Sequence, residues 1–144
     1  MVTSVVADAS VAIKWLLPLQ PDEADVEQAL RLIEWQDRGE VELHQPPHFI
    51  AEVAAVVARV SPDDAEGILL DLLNLDIRRV EATLIYATAT ALSVRLQHHL
   101  FDTLYHATAL HIPGATYVTA DLRYYEKAKA VDQIALLADF DLPQ

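Results

Sequence analysis

The sequence predicts an α/β fold in which a central, mostly parallel sheet is flanked by helices. Three observations lead there. Short apolar runs rich in β-branched residues alternate with amphipathic helical segments along the 144 residues. The first run, VTSVVA at 2–7, is apolar enough to be a strand buried on both faces, as parallel strands are. Two isolated aspartates, Asp8 and Asp121, each follow a predicted strand directly, at the carboxyl edge where α/β folds gather functional groups.

Taken in order, strand 2–7 leads into a short helix that Ser10 caps and that runs to Leu17, where Pro18 ends it. Residues 22–38 form an amphipathic helix with acids in its first turn and Gly39 just past its end. Residues 41–44 suit a short strand. Pro46 and Pro47 introduce the helix HFIAEVAAVVARV at 48–60. Ser61 starts a further helix, SPDDAEGILLDLLNL. Residues 77–81 read as a strand, and TLIYATATALSVRLQ and LFDTLYHATALH as helices, the second broken by Pro113-Gly114. Strand 115–119, helix LRYYEKAKA and strand 134–138 complete the pattern. Neither a linker nor an internal repeat interrupts it, so residues 1–144 are expected to form one domain.

Composition narrows the chemistry. The chain has no Cys, which excludes disulfides, thiolate metal sites and a Cys nucleophile and fits a reducing compartment. No apolar run approaches the ~18 residues of a membrane span, and no basic segment precedes the first apolar stretch as in a signal peptide. A cytoplasmic protein with no membrane partner is therefore expected. The net charge of −12 argues against general nucleic-acid binding and favours cations, either metal ions or a basic partner.

Most of the 22 acidic residues lie in clusters such as DEADVE, PDDAE and DFD, which read as solvated faces and caps. Four do not. Asp8 sits in VVADASVAI, Glu52 in FIAEVAAVVA, Asp102 in HLFDTLYHATAL and Asp121 in TYVTADLRYY. Singly, Asp8 and Asp121 also suit helix caps, Asp102 a first-turn acid and Glu52 an exposed stripe. The helix around Glu52 has one other charge, Arg59, and is expected to be covered on most sides, leaving Glu52 aimed into a pocket. Four carboxylates brought together repel unless cations join them. Mg²⁺ or Mn²⁺, one or two ions, suits such an oxygen-only set, and a pair of ions promotes phosphodiester hydrolysis. A shared ion would also account for the lone carboxylate of Asp8 in an apolar run.

Around these acids, Arg123, Tyr124, Tyr125, Lys127 and Lys129 share the last helix, where basic and aromatic groups together suit phosphates and bases; an inward-packed amphipathic helix fits the same pattern. Lys14 and Trp15 are placed to line the same cleft. Arg78 and Arg79 suit a solvated strand edge. The adjacent His98 and His99 are expected to point apart on a helix, His44 and His48 to lie off any common helical face, and His106 to be a surface residue; none is assigned catalysis. A Ser-His-Asp triad lacks its nucleophile elbow, and Gly39, Gly67 and Gly114 are too dispersed for a phosphate loop. A phosphoreceiver lacks the lysine it needs at the end of the last strand.

DASVAIKWLLP at 8–18, PPHFIAEVAAVVAR at 46–59, FDTLYHATAL at 101–110 and YVTADLRYYEKA at 117–128 resemble, in order, the four motif blocks of PIN-domain ribonucleases, most closely the VapC toxin branch of toxin–antitoxin pairs. The resemblance covers nearly the whole chain and implies a PIN-like, five-stranded, mostly parallel sheet. It implies a catalytic and metal-binding quartet of Asp8, Glu52, Asp102 and Asp121, with Ser10 and Thr119 as auxiliary hydroxyls. The basic and aromatic residues noted above make Lys14, Arg123, Tyr124 and Lys127 the candidate RNA contacts. The resemblance further implies Mg²⁺- or Mn²⁺-dependent RNA cleavage, homodimerisation and a small VapB-like antitoxin. Ala55 stands where many relatives carry Asn, which leaves a non-catalytic PIN-like binding module as the alternative.

Overall fold

The structure, a computed structural model, describes residues 1–17 and 24–143. Five strands form one sheet: β1 (Thr3–Ala7), β2 (Val41–Gln45), β3 (Ile77–Arg79), β4 (Thr116–Thr119) and β5 (Ile134–Leu136). Their order is β3-β2-β1-β4-β5, and every neighbouring pair is parallel. The expected mostly parallel sheet is thus parallel throughout. The helices are α1 (Ala9–Leu16), α2 (Val26–Asp37), α3 (His48–Val60), α4 (Ala65–Leu73), α5 (Thr83–Leu96), α6 (Leu100–Leu110) and α7 (Leu122–Ala128), and a single 3₁₀ turn, Leu137–Asp139, follows β5.

From β1 the chain steps outward through β2 to β3, then crosses back to β4 and on to β5. Right-handed crossovers therefore lay α1–α4 on one face and α5–α7 on the other. The direction reverses between β1 and β4, and in open parallel sheets the crevice at such a reversal, beyond the carboxyl strand ends, is where ligands bind. Strand β1 is the centre of this plan. Its Val5, Val6 and Ala7 are fully buried, and they pack with Leu43, Phe49, Val53, Val57, Tyr117 and Val118 in the main core. A second cluster, Ile85, Ala89, Leu92, Leu104 and Ala107, seals α5 against α6.

At its carboxyl end β1 has outrun the backbone pairing with β2, whose register is given by Thr3 to Val5 opposite Val41 to Leu43. The side-chain amide of buried Gln45 takes over: Ala7 N–H donates to its Oε1 at 2.8 Å, and its Nε2 donates to the Ala7 carbonyl at 2.5 Å. On its β2 side the strand end that carries Asp8 is thus fixed without a further ladder bond, while on the other side it stays paired with β4 as far as Ala7 opposite Val118.

Several local expectations change. Asp8, not Ser10, is the N-cap of α1; Ser10 lies within the helix and its hydroxyl donates back to the Asp8 carboxylate. Ser61 closes α3 rather than opening α4, which begins after a turn at Ala65. Strand β2 runs one residue further than expected, to Gln45, while β3 and β5 stop two residues sooner, at Arg79 and Leu136. Helix α2 starts at Val26; Pro18 and the expected first turn at 22–23 lie outside the described residues. Helix α3 is not covered on most sides. It buries the stripe Phe49, Val53 and Val57, while Ala51, Ala55, Ala58 and Arg59 are exposed, because short alanine side chains leave little apolar surface needing cover.

His106, expected at the surface, is fully buried in α6. Its Nε2–H donates to the Asp132 carbonyl at 2.8 Å, so Nδ1 accepts from the Tyr124 hydroxyl at 2.9 Å. Burial lowers its pKa below the ordinary 6.5, so the fold holds the neutral ring and gains stability that is complete above about pH 6.5 and lost as pH falls through the lower folded value. In denaturant titrations below about pH 6.5, the wild type should lose more stability than His106→Gln as pH falls; equal slopes for the two proteins would contradict this role.

Candidate metal-binding active site

The site is built on the end of β1. Asp8 adopts an extended backbone and caps α1, its Oδ1 accepting from Val11 N–H at 3.3 Å and from the Ser10 hydroxyl. Its Oδ2 accepts from the Tyr117 hydroxyl at 2.5 Å and the Thr119 hydroxyl at 2.6 Å, both from β4. A carboxylate buried beneath an apolar strand is therefore held by three hydroxyls and a backbone N–H, which a strand and a helix N-terminus supply together. These donors do not fully offset its burial: desolvation pushes the Asp8 pKa up, the hydrogen bonds pull it back, and the negative charge of Asp102 adds to the rise.

The other acids are tied to this one. Thr119 Oγ1, while donating to Asp8, accepts from Asp121 N–H at 3.0 Å. Asp121 caps α7 through Tyr124 N–H at 3.1 Å. Ser10 Oγ accepts from Ala120 N–H at 3.3 Å, which joins the loop after β1 to the loop after β4. On α3, Glu52 Oε1 accepts from the Tyr105 hydroxyl at 2.5 Å. Tyr105 of α6 stacks on Tyr117, with ring centroids 6.1 Å apart and planes 9° from parallel. Two buried phenols lie side by side, one donating to Glu52 and the other to Asp8. Burial raises the pKa of each far above 10, and Glu52, Asp8 and Asp102 all raise that of Tyr105, so both stay protonated donors. Asp102 stands one turn before Tyr105 in the first turn of α6.

Hydrogen bonds join Asp8 through Thr119 to the backbone of Asp121 and join Glu52 to Tyr105, whose ring stacks on the Asp8 donor Tyr117, while Asp102 acts on Asp8 through its charge. Among the described residues no three of these four carboxylates stand mutually within 4.8 Å. Two of the acids are helix N-caps and a third is a first-turn acid. Oxygen-only donors of this kind have the chemistry that fits Mg²⁺ or Mn²⁺. Spacing in the sequence did not reveal Tyr105, Tyr117 or Gln45, which hold the acids; each reads there as ordinary core.

The histidines also differ from expectation. His98 and His99 precede α6 rather than lying on it, and their rings stack at 4.8 Å. Both Nε2 atoms reach the same Asp102 oxygen, Oδ2, at 2.6 and 3.1 Å. The turn that permits this is Gln97, in the left-handed region at φ 51°. His48 Nε2–H donates to the Phe101 carbonyl at 2.8 Å and lies 3.5 Å from Glu52.

The candidate RNA contacts separate. Arg123 is exposed on α7. Lys14 is largely buried and lines a groove with Ala9, Ser10, Val56 and Ala120, beside the acids. Tyr124 is fully buried among His98, His106 and Tyr117, so it supports the site from beneath and offers no face to RNA. Trp15 is buried likewise. Lys127 donates to the Gln97 carbonyl at 3.0 Å and to His98 Nδ1 at 3.2 Å, and Lys129 pairs with Glu126. Arg78 is exposed on the edge strand β3 and pairs with Glu42 at 3.0 Å.

The ionised form of Asp8 is disfavoured in the folded protein, so its penalty is absent at low pH, grows as pH rises above 3.8, and is complete once pH exceeds the folded pKa. Without metal, Asp8→Asn should therefore raise the Tm at pH 7 relative to wild type in calorimetry. A lower Tm for the variant would show that the hydroxyl cage favours the charge outright.

Comparison with known proteins places this geometry in a family. The PIN domain family model matches residues 5–130. No curated protein sequence matches the chain. Among solved structures, the chain is similar to Mycobacterium tuberculosis VapC20, a Sarcin-Ricin loop cleaving toxin, with 15% identity and a TM-score of 0.64 over 88% of this chain and 95% of that one. It is also similar to FitAB bound to an IR36 DNA fragment, with 17% identity and a TM-score of 0.62 over 97% of this chain and 99% of that one. The matched span runs from within β1 through α7 and includes Asp8, Glu52, Asp102 and Asp121, and the chain belongs to the PIN domain family.

Proposed function

We propose that this chain is a Mg²⁺- or Mn²⁺-dependent endoribonuclease, a VapC-like toxin that hydrolyses RNA and is silenced by a small VapB-like antitoxin. The observation that carries the reading is the support around Asp8 at the carboxyl end of β1, beside the β1/β4 switch point: Thr119 joins it to the Asp121 backbone, stacked Tyr117 and Tyr105 lead from it to Glu52, and the charge of Asp102 reaches it. Such a set matches what phosphodiester hydrolysis requires, namely negative charge fixed in advance around a cation site. Membership of the PIN family and the likeness to VapC20, an RNA-cleaving toxin, support the same activity.

The four carboxylates would hold one or two divalent ions, which when bound would supply an activated water and charge neutralisation at the scissile phosphate. The protein's own part is orientation. Ser10, Tyr117 and Thr119 fix both oxygens of Asp8, Tyr105 fixes Glu52, and the N–H groups of Ala120 and Asp121 hold the β4–α7 loop on Ser10 and Thr119. Exposed Arg123, with Lys14 in the adjoining groove, supplies positive charge for the RNA backbone near an otherwise acidic surface. Cleavage leaves 5′-phosphate and 3′-hydroxyl ends. The protein acts in the cytoplasm as a homodimer, for which exposed Leu70, Leu73, Leu84 and Val94 offer apolar surface. Ala55 is exposed one turn beyond Glu52, where its replacement of Asn leaves the acid network intact.

Cleavage of a structured RNA should stop with EDTA and return with Mn²⁺. Asp8→Asn and Asp102→Asn should each cut the rate by more than the ~10–100-fold that loss of a supporting contact costs. A folded protein that neither binds Mn²⁺ nor cuts RNA would instead be a binding module. The antitoxin segment that enters the groove should be basic, and its association should slow as salt rises; an on-rate indifferent to salt would contradict the electrostatic fit.

A further inference from the structure

A second donor set lies against Asp102. His98 Nε2, His99 Nε2 and Asp102 Oδ2 are mutually within 4.8 Å, the one group of three or more such donors this close among the described residues. Two nitrogens and one carboxylate form a set that favours borderline ions of the Zn²⁺ class over Mg²⁺, which prefers oxygen alone. The side chain of His99 is 66% exposed and that of His98 only 7%, so the group has a solvent-facing entrance and a buried anchor. Both rings are already stacked and aimed at one oxygen, which lowers the ordering cost of binding.

Lys127 governs the anchor. Its ammonium only donates, so His98 Nδ1, 3.2 Å away, must accept, and the ring proton then sits on Nε2, which donates to Asp102. A metal-bound His98 carries its proton on Nδ1 instead and requires an acceptor there. Loading therefore needs Lys127 to release His98, and the Gln97 carbonyl, to which Lys127 also donates at 3.0 Å, remains as its partner.

We propose that His98, His99 and Asp102 form a binding site for a Zn²⁺-class ion, latched by Lys127, and that loading it withdraws Asp102 from the acid quartet. Resting on the nuclease reading for its consequence, the inference is that such ions inhibit the Mg²⁺-supported reaction. The site joins nitrogen donors to an acid the quartet already uses, so one carboxylate arbitrates between two kinds of cation.

Titration calorimetry with Zn²⁺, and visible absorption with Co²⁺ as a spectroscopic substitute, test the site on the intact protein. Wild type should bind an ion at this site, with a Co²⁺ spectrum showing nitrogen ligation. His99→Ala, at an exposed position that leaves the fold undisturbed, should weaken binding at least tenfold. His98→Gln, which keeps a donor to Asp102, should do the same. Asp8→Asn should leave the affinity unchanged, and Lys127→Met should tighten it. A wild type without the nitrogen-ligated spectrum overturns the site, as does binding that is lost in Asp8→Asn but kept in the histidine variants. Equal or weaker binding by Lys127→Met overturns the latch. In the Mg²⁺-supported RNA assay, His99→Ala should need at least tenfold more Zn²⁺ for half-inhibition than wild type, and equal sensitivity overturns the regulatory consequence. Failure of the nuclease reading would appear separately, as no cleavage by wild type without Zn²⁺.

Discussion

The buried carboxylate of Asp8 is the constraint around which the rest is arranged. Placing it at the end of β1 exposes α1's first N–H groups to an acceptor and places a negative charge where the sheet reverses direction. Each supporting hydroxyl then has a reason for its position. Tyr117 and Thr119 alternate on β4, so both reach the same edge and the same oxygen. The result is a charge held firmly yet at a cost, since its pKa remains raised. Sites that bind cations accept such a cost because the ion repays it when it arrives, and stability is given up where function needs pre-formed charge.

Much of the fold was legible in the sequence because its signals are local. Strands β1 and β4 are short runs rich in β-branched and aromatic residues, α2 carries helical periodicity, and Pro113-Gly114 marks a break. Failures occurred where two local signals compete. Ser10 and Asp8 both suit a helix cap, and the strand's direction, not propensity, gave the position to Asp8. Ser61 precedes a proline and two acids as a helix start would, yet it closes α3. Helix α3 reads as enveloped because it is apolar, but alanines are indifferent to exposure, so only Phe49, Val53 and Val57 report its buried face.

The acids of the site were legible because each stands alone among apolar neighbours, which is costly unless compensated. What compensates them was not. Tyr105, Tyr117, Tyr124 and Gln45 are counted as core or strand residues by any periodicity argument, and their polar atoms find partners 18 to 109 positions away. The pairing of His98 with His99 depends on a non-glycine residue, Gln97, adopting a left-handed backbone, which composition does not announce. Long-range hydrogen bonds and rare backbone states are thus the part of this site that only three dimensions reveal.

The central claim is that four side chains from α3, α6 and the ends of β1 and β4 make one receptacle for a divalent ion. Anomalous diffraction from crystals grown with Mn²⁺ tests it most directly. The account requires an anomalous peak about 2.2 Å from oxygens of both Asp8 and Asp102. A well-ordered Mn²⁺ bound elsewhere, or an acid cup without a peak at saturating Mn²⁺, would contradict it.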